Sequence, residues 1–385
     1  MKQNRGIRWG SIAVAGILAL GLGACSSSSD ATDPANTPDS NSSETPNTPS
    51  DDITELSGNL AGSGASSQEK AMEGWIAGFA DIAPDVVATY DPQGSGAGRE
   101  QFLSGAVQFA GSDAALKEEE ITAASQRCFG GEALELPLYI SPIAVIYNLP
   151  DLAAENINMS AATLAKVFSG EITEWNDPEI AQQNEGVELP ATSIIPVHRS
   201  DESGTTENFT EYLAAAAEGE WAHEPSGTWP IESGQSGSKT QGMIDTVSGA
   251  EGAIGYADAS RAGDLGTIAI KVGEEYVPYS AEAAAAVVDA SPRAENATSN
   301  RLVVELDRAT TASGAYPLVL ISYSIACSSY DSQSDVDNVK AFLTYMASSE
   351  GQARAADPSV AGSAPISDAL HAEVQAAIDG ISLAG

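Results

Sequence analysis

From about residue 58 onward, short apolar runs alternate with segments whose apolar positions recur every three or four residues, and this alternation predicts an α/β protein. The stretch "LSGNLAGSG" reads as a strand ending in a glycine-rich turn. In the segment that follows, Ala71, Trp75, Phe79 and Ile82 share one helical face, which predicts a helix packed on a sheet. The unit then recurs as strand "DVVATYDPQG", turn "SGAG", helix "REQFLSGAV" and strand "QFAGSDAAL". The apolar run "LELPLYISPIAVIYNL" is long enough to cross from one lobe to another, and "SIIPVHRS", "GAIGYAD" and "TIAIKV" predict strands of a second lobe. "YPLVLISYSIACSS" predicts a return strand, and helices are expected from Asp335 to Met346 and from Ala369 to Ile381. A length of 385 residues suits two lobes at roughly 150 residues per domain. Two α/β lobes joined by two crossings enclose a cleft, onto which the carboxyl ends of strands and the N-termini of helices face.

The first residues break this pattern. Lys2, Arg5 and Arg8 precede the apolar run Ile12 to Leu22, which ends in "LGAC", the layout of a secretion signal. Cys25 directly after Leu22, Gly23 and Ala24 resembles the bacterial lipobox, in which the cysteine is lipidated and becomes the mature N-terminus. Residues 1–24 are therefore expected to be a lipoprotein signal peptide. Residues 25–57, rich in Ser, Thr, Pro, Asn and acids, are expected to be a solvated tether that starts at the lipidated cysteine. Export leaves Cys128 and Cys327 in an oxidising compartment, which predicts a disulfide between them.

Formal charge is −37, and removal of residues 1–24 takes away three cations and no acid, giving −40. Nucleic acid is a poor partner for such a surface, and any anion must be attracted locally against the overall field. Three turns, "AGSGASS", "QGSGAG" and "SDESGTT", each sit between a predicted strand and a predicted helix. Helix starts expose unpaired N–H groups and the positive end of the dipole, so each turn can cradle an oxyanion or simply cap its helix. Arg199 can supply the fixed charge, pair with Asp201 or Glu202, or do both at once. Asp113, at the end of "FAGSD", either caps a turn or accepts a proton carried by the ligand.

Together "PVHRSDESGTTENFTEYL", "FSGEITEWNDPEI", "QFAGSDAAL", "NLAGSGASS" and "AEGAIGYAD" resemble, in order, the phosphate-binding subunit of bacterial ABC phosphate importers. The resemblance runs from about Leu60 to the C-terminus. It implies a two-lobed periplasmic-binding-protein-like fold, mixed-sheet lobes joined by two crossing strands with the ligand cleft between them. Lobe 1 is expected over 58–141 plus 326–385, and lobe 2 over 142–325. The family's phosphate donors fall on Ser66, Ser67, Ser95, Arg199, Ser203, Gly204 and Thr205. Asp113 falls on the acceptor of the ligand's proton, and Asp201 on the acid that pairs with the arginine. "ESGQSGSKTQG" departs from the family, as does Glu202 within "DESGT", and Glu202 is expected to face solvent.

The resemblance implies a receptor, anchored by lipid to the outer face of the cell membrane, that delivers phosphate to the permease subunits of an ABC transporter. It is expected to act as a monomer, with no cofactor, no metal and no catalytic residue. Other readings stay open at this stage: a receptor for arsenate or sulfate, an adhesion or signalling protein, or a secreted phosphoesterase. The last lacks support in the motifs, because Ser238 stands where a phosphate loop needs Gly before Lys239, and no candidate turn has the G-x-S-x-G of a nucleophile elbow. His198, His223 and His371 show no metal-ligand spacing.

Overall fold

A computed structural model describes residues 55–217 and 219–385. The signal peptide, Cys25 and nearly all of the tether lie outside the described residues. The first lobe opens with β1 (Gly58–Gly64), α1 (Glu69–Ile82), β2 (Val86–Asp91), α2 (Ser95–Leu103), β3 (Phe109–Ser112) and α3 (Glu118–Arg127). β4 (Ala133–Tyr147) leads into β5 (Asn156–Met159), α4 (Ala161–Ser169), α5 (Pro178–Ala181), β6 (Ile195–Arg199), α6 (Gly204–Ala216), β7 (Gln235–Gly237) and α7 (Lys239–Ser248). β8 (Ala253–Asp258), β9 (Gly266–Val272), β10 (Glu275–Val277) and α8 (Ala281–Ala290) follow. The chain returns through β11 (Val319–Cys327) to β12 (Ser329–Tyr330), α9 (Gln333–Ala347), α10 (Ser349–Ala356), α11 (Asp368–Asp379) and β13 (Ser382–Leu383).

One mixed sheet runs in the order β2-β1-β3-β11-β4-β8-β6-β7, with β9 branching from β4 to carry β5 and β10. β1 pairs in parallel with β2 and β3, while β11 is antiparallel to both β3 and β4. β4 is the crossing element, buried along its whole length. It pairs with β11 up to Pro142 and with β8 from Ile143 onward. Both of its prolines fall where the ladder is interrupted: Pro137 beside a register irregularity and Pro142 at the change of partner, positions where a missing N–H costs least. β11 pairs with the first part of β4 from Val319 onward, before residue 326.

The amphipathic reading of α1 holds for Ala71, Trp75 and Phe79, which are fully buried, and Trp75 Nε1 donates to Gly351 O at 2.7 Å. Ile82 is only partly buried. Cys128, just past α3, and Cys327, ending β11, are joined by the expected disulfide, with Cα atoms 5.1 Å apart. Helices α3, α4, α5, α7, α8 and α10 had no assignment from the apolar pattern. α7 carries the consequence for function, because its first turn reaches the cleft.

Candidate functional site

Local sequence explains why the turns lie where they do. β1 and β3 are parallel neighbours, so both carboxyl ends emerge on one side of the sheet. There the Gly64 carbonyl accepts from Gly94 N at 2.8 Å and the Gly111 carbonyl from Ala65 N at 2.8 Å, locking three loops together. Gly94 has φ 102°, a conformation that favours glycine, and it turns the chain sharply into α2 at Ser95. On the other lobe β6 ends at Arg199, and Ser203 caps α6 by accepting from Thr206 N at 3.2 Å.

All eight residues expected to hold the ion come together in this cleft, and all are buried. Asp113 stands at the centre. Its carboxylate accepts from Ser67 Oγ at 2.7 and 2.8 Å and from Thr205 Oγ1 at 2.9 Å, the latter from the opposite lobe. Its backbone N–H donates to Ser95 Oγ at 3.2 Å. Burial pushes the Asp113 carboxyl above its usual range, against the pull of the Ser67 and Thr205 hydroxyls and the Arg199 charge. Arg199 Nη2 lies 3.5 Å from Ser66 Oγ across the cleft.

Asp201 holds Arg199 in a fork, with Nε to Oδ1 at 2.8 Å and Nη2 to Oδ2 at 2.5 Å. Burial pushes the Asp201 carboxyl up, but the Arg199 hydrogen bonds and charge and the Lys239 N–H together hold it below its usual value. The fork consumes most of the guanidinium charge. With Asp113 also present, the cleft offers an anion hydrogen-bond donors more than net positive charge.

The structure corrects one expectation. Glu202 does not face solvent alone: its side chain is 37% exposed, but its carboxylate takes a hydrogen bond from Arg99 Nη2 at 2.8 Å, on the opposite lobe. Backbone and side-chain constraints dictate this, since Asp201 faces Arg199 and Ser203 caps α6, leaving Glu202 to point between them toward α2.

Several contributors were missed from sequence. Thr240, in the first turn of α7, donates its N–H to Ser66 Oγ at 3.0 Å, and its hydroxyl lies 3.0 Å from the same atom. The signal was present, because "SGSKT" joins the end of β7 to the start of α7, a strand-to-helix turn like the other three, but it read as a departure from the family. Asn208 donates to Asp113 O at 2.7 Å and to Gly204 O at 2.8 Å, tying one lobe to the other. Tyr256 backs the loop: its hydroxyl accepts from Arg199 N at 3.4 Å and meets Thr206 Oγ1 at 2.9 Å, while burial pushes its pKa up to about 12. His198 stacks on Trp229 with rings 5.5 Å apart. Among the described residues no group of three or more His, Cys, Asp or Glu stands together in a way that could hold a metal.

A family model described as a PBP superfamily domain matches residues 41–350. The phosphate-binding protein PstS 3 of Mycobacterium leprae is 36% identical over 288 residues, covering 74% of this chain and 77% of the relative. The phosphate-binding protein PstS2 of Mycobacterium bovis is 34% identical over 331 residues, covering 84% and 87%. The chain belongs to the PstS family of phosphate-binding proteins. Solved structures share the fold of this PstS-family chain at lower identity. The phosphate-bound periplasmic phosphate-binding protein PfluDING superposes with a TM-score of 0.65 at 21% identity, covering 83% of this chain and 93% of that one. The phosphate-binding protein from Stenotrophomonas maltophilia gives 0.64 at 19%, covering 83% and 93%. Within the PstS-family segment "GEITEWND", Trp175 is buried on Tyr147 and donates to Gly252 O at 3.0 Å, so that signature serves the packing of its lobe.

Proposed function

We propose that this protein is an extracytoplasmic receptor that closes on one hydrogen phosphate ion and hands it to the permease subunits of an ABC transporter. Ser66, Ser67, Ser95, Arg199, Ser203, Gly204 and Thr205 donate to the ion's oxygens, and Asp113 accepts its proton. Asp201 orients Arg199. The observation that carries this reading is Asp113, a buried carboxylate held by hydroxyls from both lobes beside the loops that carry Ser66, Ser95 and Arg199. An ionised carboxylate can only accept, so it suits an oxyanion that retains a proton and repels one that does not. Sulfate, fully ionised, has no proton to give that acceptor and sets its oxygens against the carboxylate in a dry site, a costly mismatch. Arsenate shares phosphate's shape and protonation and is expected to bind.

No step here is catalytic; capture and release are lobe closure and opening. The lobe limits of 58–141 plus 326–385 and 142–325 stay part of the proposal, and the pairing of β11 from Val319 favours an earlier return. Attachment through lipid at Cys25, to the outer face of the cell membrane, and action as a monomer complete it. Calorimetry of the soluble domain with phosphate, sulfate and arsenate across pH is the test. Tight sulfate binding, or no phosphate binding, overturns the assignment.

A further inference from the structure

Arg99 and Glu202 lie outside the residues assigned to the ion, yet each is one step from them. Arg99 sits on α2, the helix that opens at Ser95, and its side chain is 1% exposed. Its Nη1 donates to Ser112 Oγ at 3.0 Å, on the residue before Asp113. Glu202 stands between Asp201 and Ser203 in the facing loop. Arg99 Nη2 donates to Glu202 Oε1 at 2.8 Å, and Lys117 Nζ lies 3.6 Å from the same oxygen. On its other side Arg99 Nε is shared between both oxygens of Glu120 at 3.1 Å. Space for the Glu202 carboxylate exists only because position 96 is glycine: a Cβ there would stand 1.3 Å from Oε2.

We propose that the Arg99–Glu202 pair is a latch between the two anion-cradling loops, formed when the cleft closes, and that it sets how long the ion stays bound. The proposal rests on the phosphate reading above. α2 belongs to the β1–β3 unit and Glu202 to the β6–α6 unit, so the pair can form only across the cleft. When the lobes part, Glu202 returns to water while Arg99 keeps Glu120. A contact present in the closed form alone adds to the closed population and acts on release more than on capture. Burial works against the Arg99 charge, and Glu120 and Glu202 together outweigh it, holding the guanidinium above its ordinary pKa. The same geometry explains how an acid sits next to Ser203, Gly204 and Thr205 without repelling the ion: Arg99 and Lys117 face its charge.

A charge-assisted hydrogen bond in a closed interface is worth up to roughly a hundredfold in affinity, and the partial exposure of Glu202 reduces this to about tenfold. The test uses inorganic phosphate and the folded protein, with stopped-flow and calorimetric titration and one spin label on each lobe for the interlobe distance. Glu202→Gln is expected to weaken phosphate binding about tenfold through faster release, with association unchanged, and Glu202→Asp to retain part of the effect. Gly96→Ala, which takes the space of the carboxylate, is expected to reproduce Glu202→Gln, and it carries the test if substitution of the buried Arg99 prevents folding. Adding Arg99→Gln to Glu202→Gln should then cost less than the two single effects combined. Unchanged release, or tighter binding as expected of an acid that merely repels the anion, overturns the latch. If the wild-type protein binds no phosphate, the receptor reading fails. The latch is then judged by the spin labels: Glu202→Gln must lengthen the interlobe distance, and an unchanged distribution overturns it.

Discussion

Gly204 offers the sharpest separation between binding and folding. It is the first residue of α6, and a Cβ added there would lie 2.7 Å from Ser95 Oγ, 2.8 Å from Asp113 Cβ and 3.0 Å from Ala114 N. All three atoms belong to the facing lobe. They are well inside the ~3.5 Å of a favourable contact, and two of them are fixed to the main chain and cannot rotate away. Within its own lobe the same change is harmless, because alanine is favoured over glycine in a helix by up to about 1 kcal/mol. The cost therefore falls on closure. Overpacking by one methyl group costs about 1–3 kcal/mol, which is about 5- to 150-fold in affinity. Calorimetric titration of Gly204→Ala with phosphate should show that loss, while thermal unfolding of the ligand-free protein stays unchanged or shifts upward. Unchanged phosphate affinity would refute the reasoning, since the lobes could not then approach this closely around the ion.

Other expected outcomes follow from the same geometry. Arg199→Ala removes the arginine that faces Ser66 across the cleft and should weaken phosphate binding by about 1.5–3 kcal/mol in calorimetry, and equal affinity would show that the ion sits elsewhere. Asp113→Asn exchanges an acceptor for a group that also donates, so competition titration should show the preference for phosphate over sulfate falling by about 1–3 kcal/mol. Asp258, which accepts from Tyr139 Oη at 3.0 Å and Ser260 N at 3.0 Å beside the change of partner in β4, has its pKa pushed up to about 6 by burial. Its folded form holds a proton that the unfolded chain has lost, so stability declines as pH rises from about 4 to 6 and is level above. Denaturant titrations across that window should show wild type losing about 3 kcal/mol relative to Asp258→Asn, and parallel curves would place the proton elsewhere.

Much of the architecture was legible because it depends on local pattern. The strands and helices around Asp113 and Arg199 follow from apolar periodicity and glycine-rich turns, and the run over 134–149 is apolar because β4 is buried on both faces as it crosses. The Asp201 fork was legible too, since two residues of separation bring the carboxylate within reach of the guanidinium. Glu202 was not. Its nearest cation in sequence is Arg199, three residues away, but its partner is Arg99, 103 residues away. Thr240 likewise meets Ser66 across 174 residues, and Asn208 meets Asp113 across 95.

The sequence alone determined which residue types could hold an oxyanion and which turns could present them, because helix starts, hydroxyls and a forked arginine are local chemistry. Only the tertiary structure decided which groups face one another across the cleft. That choice belongs to closure: Gly204 lets two backbones approach, Asp113 draws Ser67 and Thr205 from opposite lobes, and Glu202 meets Arg99 only when both lobes are present. Long-range pairings of this kind leave no period in the chain, so they become visible only once the fold brings distant loops together.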